Sequence, residues 1–265
     1  MSKILFAVGH GESKSGGYDS GATSNGYQEF KIAREITRYA KEYYNENYNE
    51  RCDLMNYNGD LSLKDRIKLL QDDTYDLVAE IHLNSGGGLG TECYYHHLSQ
   101  KGKNLAEEIT KTISSDMGVK NRGAKIKLNS NGDDYFGIIR ETKPCAILIE
   151  TMFIDTSDVE KINTASGQKK CGKAIAKAVA KVRNVSDDTN NDDEGEYNVA
   201  KIYKNGSTNE TVYADTDLKN KIGSLDKYEE CECIDKVDGK YVVKYRVNGT
   251  NAYKVGFVKY NGGIE

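Results

Sequence analysis

The order of apolar patterns along this chain predicts an α/β domain with a mostly parallel sheet flanked by helices, followed by a small all-β domain. Three observations lead there. Through residues 1–185, apolar runs of strand length alternate with stretches of helical periodicity. A tract with no apolar side chain, SDDTNNDDEGE at 186–196, then interrupts the pattern and reads as an acidic, solvated linker. Beyond it, residues 197–265 carry only short alternating runs broken by NGS, DG, NG and NGG.

The first strand runs from Ile4 to Val8 and leads into GHG, which places His10 at a strand end. The following GESKSGGYDSGATSNG has neither helical nor strand period and reads as a loop framing the space beside His10. Asn25 to Gln28 reads as a capping box for a helix with Ile32, Ile36, Tyr39 and Tyr43 on one face and Glu29 in its first turn. RCDLMNY is a short second strand. Ser62 to Asp65 caps a second helix carrying Ile67, Leu69 and Leu70, on which Arg66 reads as an anchor for loops.

The stretch DLVAEIHLNS is the centre of the pattern. Leu77, Val78, Ala79 and Ile81 suit a strand buried on both faces. Such a strand delivers His82, Asn84 and Ser85 at its carboxyl end, where ligands of open α/β sheets collect. GGGLG then leads into the alternating strand TECYYHH, in which Glu92 faces either the site or the solvent, and His96 and His97 are expected to face water. Leu105, Ile109, Ile113 and Met117 mark a helix that begins at Ser99 and stops at Gly118. After RGAKIKL and the polar loop NSNGDDYFG, the single proline, Pro144, leads into the strand of AILIETMF that delivers Glu150. Ile175, Ala178, Val179 and Val182 mark the last helix of this domain.

Composition excludes several classes. With 37% apolar residues in strand-sized runs, the chain has no candidate transmembrane segment, and no basic leader precedes Ile4, so a cytosolic origin is expected. The net charge of -4 arises in the acidic tract, where residues 186–196 hold six acidic and no basic side chains. Neither flanking segment has the basic excess with which nucleic-acid binders displace counterions, so nucleic acid is not an expected partner. The six cysteines form no CxxC pair and are expected to be reduced and mostly packed.

Two histidines and a carboxylate are a ligand set of catalytic zinc that leaves a position open for water or a substrate oxygen, and His10, Glu29 and His82 match it. Glu150, on another strand end, supplies the general base or acid that zinc-assisted amide hydrolysis needs. Each residue alone also has a structural reading: a packed His10, a Glu29 paired with its helix dipole, and a His82 and Glu150 held by salt bridges. No compact motif of the HExxH kind marks the set. What favours the metal site is the convergence of four such groups at three strand ends and one facing helix.

VGHG with DSGA downstream, Glu29 opening the next helix, LSLKDR, EIHLNS, GTECYY and ILIETMFID, in that order, resemble the zinc-dependent N-acetylmuramoyl-L-alanine amidases of the type 3 family over about residues 3 to 183. The resemblance implies that His10, Glu29 and His82 bind zinc and that Glu150 is catalytic. It also implies the bond cut, the amide between the lactyl group of N-acetylmuramic acid and the first L-alanine of the peptidoglycan stem peptide. Local departures stand at Glu12, where the family often has a small residue, at Glu80 and Leu83, where it has serine and alanine, and at Met152 after Thr151, where it has Gly-Phe. They touch substrate subsites rather than the chemistry. Glu80 shares a strand face with His82 and is either a partner of that histidine or an ordinary ion-paired or solvated carboxylate.

The last segment, ending KYRVNGTNAYKVGFVKY, is similar in pattern to the SH3-like modules that bind bacterial cell walls. Its tyrosines are read mostly as the core of a small barrel, with glycan stacking as the other use. A catalytic domain, a linker and a wall-binding module resemble the organisation of clostridial phage endolysins. That resemblance implies a protein held in the host cytoplasm until lysis, with peptidoglycan and wall glycan as its partners. A zinc endopeptidase of the stem peptide and a non-catalytic wall-binding protein are the alternatives.

Overall fold

The computed structural model describes residues 4–12, 16–185, 201–214, 217–237, 240–246, 253–259 and 263–264; the predicted linker 186–196 and Tyr260 lie outside them. The chain divides into two compact units, Met1–Asn191 and Asp192–Glu265.

In the first unit the order is β1 (Ile4–Val8), β2 (Gly11–Glu12), β3 (Tyr18–Asp19), β4 (Thr23–Ser24), β5 (Tyr27–Gln28), α1 (Glu29–Asn47), β6 (Cys52–Met55), α2 (Leu63–Leu69), β7 (Leu77–Asn84), β8 (Thr91–Tyr95), α3 (Gln100–Met117), β9 (Asn121–Lys125), α4 (Gly137–Arg140), β10 (Cys145–Phe153) and α5 (Ala165–Arg183). Six strands make one sheet in the order β6-β1-β7-β10-β8-β9. β6, β1, β7 and β10 are mutually parallel, whereas β8 pairs antiparallel with β10, so the sheet is mostly parallel as the alternation of elements predicts.

Side chains alternate across these strands and fill two cores. Ile4, Phe6, Val8, Leu77, Ala79, Ile81, Ile147 and Ile149 pack with residues of α1, α3 and α5. Leu5, Ala7, Val78, Ala146 and Leu148 pack with Leu70, Ile138 and Ile139 on the α2 and α4 side. The two-residue period carries this second row onward, from Val78 to Glu80 and His82 on β7 and from Leu148 to Glu150 on β10. Apolar rows that end in ionisable residues place the latter at the carboxyl end of the parallel strands. The two helices bounding this layer obey their sequence signals: Ser62 and Asp65 form the capping box of α2, and α3 ends at Gly118 with φ 63°.

One expected cap is different. Asn25 does not begin α1; Asn25 and Gly26, with φ 49° and 82°, form the turn of the β4–β5 ribbon, and Gln28 is the N-cap without a side-chain hydrogen bond. An Asn-Gly pair between two extended residues is a strong hairpin signal, and it outweighs the capping reading because both residues can take positive φ. On α1, Ile32 and Ile36 are buried, while Tyr39 and Tyr43 lie at the margin and Ala33, Ala40 and Tyr44 complete the buried face.

The second unit is antiparallel: β11 (Lys201–Lys204), β12 (Glu210–Tyr213), β13 (Lys221–Leu225), β14 (Glu230–Val237), β15 (Lys240–Arg246), β16 (Tyr253–Val258) and β17 (Gly263–Ile264), ordered β13-β12-β16-β15-β14-β11-β17. Its core holds Tyr203, Val212, Leu225, Cys231, Val243, Tyr245 and Val258, so Tyr203 and Tyr245 serve as core, as the alternation predicts. Among the described residues no helix is long and apolar enough to cross a membrane.

Candidate active site

β1 ends at Val8 and the chain turns sharply at His10, whose φ of 62° is left-handed. Asn56 holds that turn by donating from Nδ2 to the carbonyls of Val8 at 2.8 Å and His10 at 2.6 Å. Gly9 lies against the His82 ring, and a Cβ there would come within 2.1 Å of it. Gly21, with φ +65°, is equally confined, since a Cβ would meet Glu29 Oε2 at 2.6 Å and the His10 ring at 2.7 Å. Two glycines thus leave the space into which two histidines and a glutamate fit.

Within that space His10 Nε2 stands 3.1 Å and His82 Nδ1 3.0 Å from the same atom, Oε1 of Glu29. Glu29 opens α1 and is buried, and its carboxylate is fixed by the Ala22 N–H at 2.8 Å on Oε2 and the Leu83 N–H at 3.1 Å on Oε1. The outer nitrogens also face carboxylates. His10 Nδ1 is 2.9 Å from Asp19 Oδ2, and His82 Nε2 is 2.9 Å from Glu80 Oε1.

Burial alone would push the Glu29 carboxyl up, but hydrogen bonds from His10 and His82 and their charge outweigh it and hold Glu29 well below the usual carboxylate range. The reverse holds for the imidazoles. Burial disfavours their charge, yet hydrogen bonds to Glu29 and Glu80 raise His82 to about 10, and the bond to Glu29 raises His10.

An imidazole set between two carboxylates faces acceptors on both sides. It must carry a proton on each nitrogen, or a proton on one and a cation on the other. Two such imidazoles converging on one carboxylate oxygen, each with its outer nitrogen tied to a further carboxylate, fit a zinc ion in donor type and number.

Glu150 completes the group. It is the β10 partner of His82 in the parallel ladder, and its Oε2 is buried with no hydrogen-bond partner among the described residues. Burial, reinforced by the charges of Glu29 and Glu92 and only partly offset by His82, pushes its carboxyl up to about 7. The next residue, Thr151, donates to the His82 carbonyl at 3.0 Å and ties the two strand ends together. The pocket over these groups encloses about 580 Å³ and is bordered by Glu12, Asn84, Ser85, Leu63 and Phe136, among others. All four residues singled out in the sequence line it.

A family model for N-acetylmuramoyl-L-alanine amidase matches residues 4–181. The chain belongs to this amidase family. The sporulation-specific N-acetylmuramoyl-L-alanine amidase of Bacillus subtilis (strain 168) is 32% identical over 170 residues, which are 63% of this chain and 62% of the relative. The endolysin of Bacillus phage SPP1 is 31% identical over 169 residues, 60% of this chain and 57% of the relative. Among solved structures, Cwp6 from Clostridium difficile aligns at a TM-score of 0.62 and 32% identity, over 69% of this chain and 29% of that one.

Within this amidase-family chain several residues behave differently from their sequence reading, or were not legible in it. DSGA marks the loop in the sequence, but only the fold sets Asp19 behind His10. Glu92 faces neither open solvent nor the pocket. It is buried beside Glu150 in the β8–β10 pair, accepts from Asn84 at 2.9 Å and Tyr94 at 2.8 Å, and is neutralised by Arg122 and Lys125, both at 2.5 Å. Burial would raise its carboxyl, but these partners lower it to about 2.

His96 and His97 do not simply face water; both lean on the buried carboxylate of Asp134, at 3.3 and 2.8 Å. With Asp134 they have the spacing of a metal cluster, but the Leu98 N–H donates to His96 Nδ1. That backbone donor occupies Nδ1 and leaves Nε2 to meet Asp134, so the trio forms a hydrogen-bonded clasp. Arg66 is the loop anchor the sequence predicts, donating to the carbonyls of Leu61 at 2.9 Å and His10 at 3.2 Å.

Two expected results follow from this geometry. Gly21→Ala should reduce zinc uptake and hydrolysis by more than about tenfold, because position 21 has a left-handed backbone that alanine disfavours and the added methyl would displace both the Glu29 carboxylate and the His10 ring. Wild-type zinc binding in that variant, measured by chelator competition, would contradict the tight fit.

The second concerns stability. In a chelating buffer the folded chain keeps Glu150 protonated up to about 7, while the unfolded chain ionises it in the ordinary carboxylate range. Ionisation between those values favours unfolding, so this group's effect is to lower stability as pH rises towards about 7. Glu150→Gln should therefore melt higher than wild type at about pH 8, with the gap closing towards about pH 4. Equal melting temperatures at the higher pH would show that the carboxyl is not held in an unfavourable site.

Proposed function

We propose that this chain is a zinc-dependent N-acetylmuramoyl-L-alanine amidase that hydrolyses the amide between N-acetylmuramic acid and L-alanine in bacterial peptidoglycan. The observation that carries the reading is the convergence of His10 Nε2 and His82 Nδ1 on one oxygen of Glu29, beside a buried Glu150 oxygen that has no partner of its own among the described residues.

His10, Glu29 and His82 are the residues that would hold the metal. A bound zinc ion would supply positive charge at the developing oxyanion and lower the pKa of water. Glu150 takes a proton from the attacking water as that water adds to the lactyl carbonyl carbon. It then delivers the proton to the alanine nitrogen as the C–N bond breaks, leaving a carboxyl on the lactyl group and a free amine on alanine. A carboxyl raised towards neutrality suits both halves of that cycle, and among the described residues no hydrogen bond ties up its Oε2.

Residues 197–265 are proposed to be an SH3-like wall-binding module joined through the acidic linker 186–196, and the whole to act as an endolysin that waits in the host cytoplasm. The similarity of part of the chain to a phage endolysin supports the endolysin reading, and the antiparallel strands of the second unit are compatible with a small barrel. Nucleic acid has no place in the reading, since neither flanking segment carries a basic excess, and no membrane partner is proposed because the apolar runs are only strand-sized.

The test is clearing of purified cell walls by the full chain with and without a strong chelator. Soluble peptide release that the chelator abolishes and added zinc restores is the expected result. Sedimentation with the walls and no release in either condition would turn the reading to a non-catalytic binding protein.

A further inference from the structure

Glu80 and Arg66 form a buried ion pair directly behind the site, with Arg66 Nε 2.9 Å from Glu80 Oε2. Glu80 is 1% and Arg66 3% exposed. A buried pair of this kind is weak grounds for stability, because the desolvation of two charges offsets their attraction and apolar residues of the same size would pack as well. What the pair does to its neighbours is more informative.

Glu80 spends only one oxygen on Arg66. The other, Oε1, lies 2.9 Å from His82 Nε2 and accepts only if that nitrogen carries the proton. The opposite nitrogen, Nδ1, is the one that faces Glu29 in company with His10 Nε2. Arg66 meanwhile reaches with Nη1 to the carbonyl of His10, the residue in the left-handed turn. One guanidinium thus connects the side chain of one candidate ligand, through Glu80, to the backbone of the other. His10 has a carboxylate of its own, Asp19, but that one is half exposed, whereas the Glu80 and Arg66 side chains are 2% and 4% exposed.

We infer that Arg66 and Glu80 are positioning residues for the metal site: the pair fixes His82 as the tautomer that presents Nδ1 and holds His10 in register with it. The inference rests on the zinc reading above. A carboxylate behind a ligand histidine orients the ring and makes it a stronger donor, and its loss costs about 10–100-fold in metal affinity.

The test uses the full chain, the isosteric Glu80→Gln, and the double substitution Arg66→Met with Glu80→Leu, which removes both charges and leaves neither buried alone. Zinc affinity is measured by competition with a chromophoric chelator, folding by circular dichroism, and the His82 tautomer by nitrogen chemical shifts in the zinc-loaded protein. Wild type is expected to take up one zinc per chain with His82 protonated at Nε2. Glu80→Gln should bind zinc about tenfold more weakly, and the folded double variant up to about a hundredfold, with the His82 proton at Nε2 exchanging faster.

Glu80→Gln with wild-type zinc affinity and an unchanged His82 signal would overturn the inference and leave the zinc reading intact, even if the double variant were unstable. No zinc uptake by wild type would remove both, which separates the two failures.

Discussion

Replacing Glu150 by alanine should lower amide hydrolysis by about 10²–10⁴-fold while leaving zinc uptake and the fold unchanged. The expectation of selectivity comes from where the residue sits. Glu150 is on β10, beside His82 in the ladder, yet it forms none of the bonds that hold His10, Glu29 and His82 together. Its Oε2 makes no hydrogen bond among the described residues, so deleting it orphans no donor, and burial has already disfavoured its charge. Glutamine in its place keeps the volume and should be as inactive, because an amide cannot cycle a proton between water and the leaving nitrogen. Hydrolysis within about threefold of wild type in a folded, zinc-loaded Glu150→Gln would remove Glu150 from the chemistry.

Glu29→Ala should have the other large effect, on the metal itself: zinc affinity falling by more than about a hundredfold, and hydrolysis with it. Glu29 is the point on which the cluster is built, since both inner imidazole nitrogens and two backbone N–H groups meet its carboxylate. Without it the Ala22 and Leu83 N–H groups lose an acceptor, and His82 keeps only Glu80. Isothermal titration of zinc into the chelator-treated variant reads this directly. Uptake at wild-type affinity would show that the cluster is a structural set of ion pairs rather than a metal site. Excess zinc should not restore the variant's activity to the wild-type level, whereas it should restore chelator-treated wild type fully.

The fold of residues 4–185 and the placement of His10, His82 and Glu150 are legible because strand burial writes itself plainly, and Glu29, in the first turn of a helix, is legible only through their company. An apolar run that ends in His, Glu or Asn has few places to put its last side chain except the carboxyl end of the sheet. What stayed illegible depends on pairings between side chains far apart in sequence. Nothing near Asp19 says that its carboxylate meets His10, and nothing near Asp134, 37 residues from His97, says that it meets two histidines.

Glu80 has two uses in its sequence context and takes both, because a carboxylate has two oxygens: one serves Arg66 and the other His82. Asn25 departs from its expected cap for a local reason. Asparagine favours both N-caps and left-handed turn positions, and the neighbouring Gly26 decides for the turn. In the second unit, alternation was enough to place Tyr203 and Tyr245 in a core, whereas wall binding is a property of a surface that no periodicity records.

The most direct test of the central claim is the identity of the amino groups released when the zinc-loaded chain digests purified peptidoglycan. New N-terminal alanine, with no new reducing sugar ends, is the predicted product, and it should be absent with Glu150→Ala. New amino termini on other stem-peptide residues, with alanine still joined to the lactyl group, would contradict the amidase reading and make the same site that of an endopeptidase.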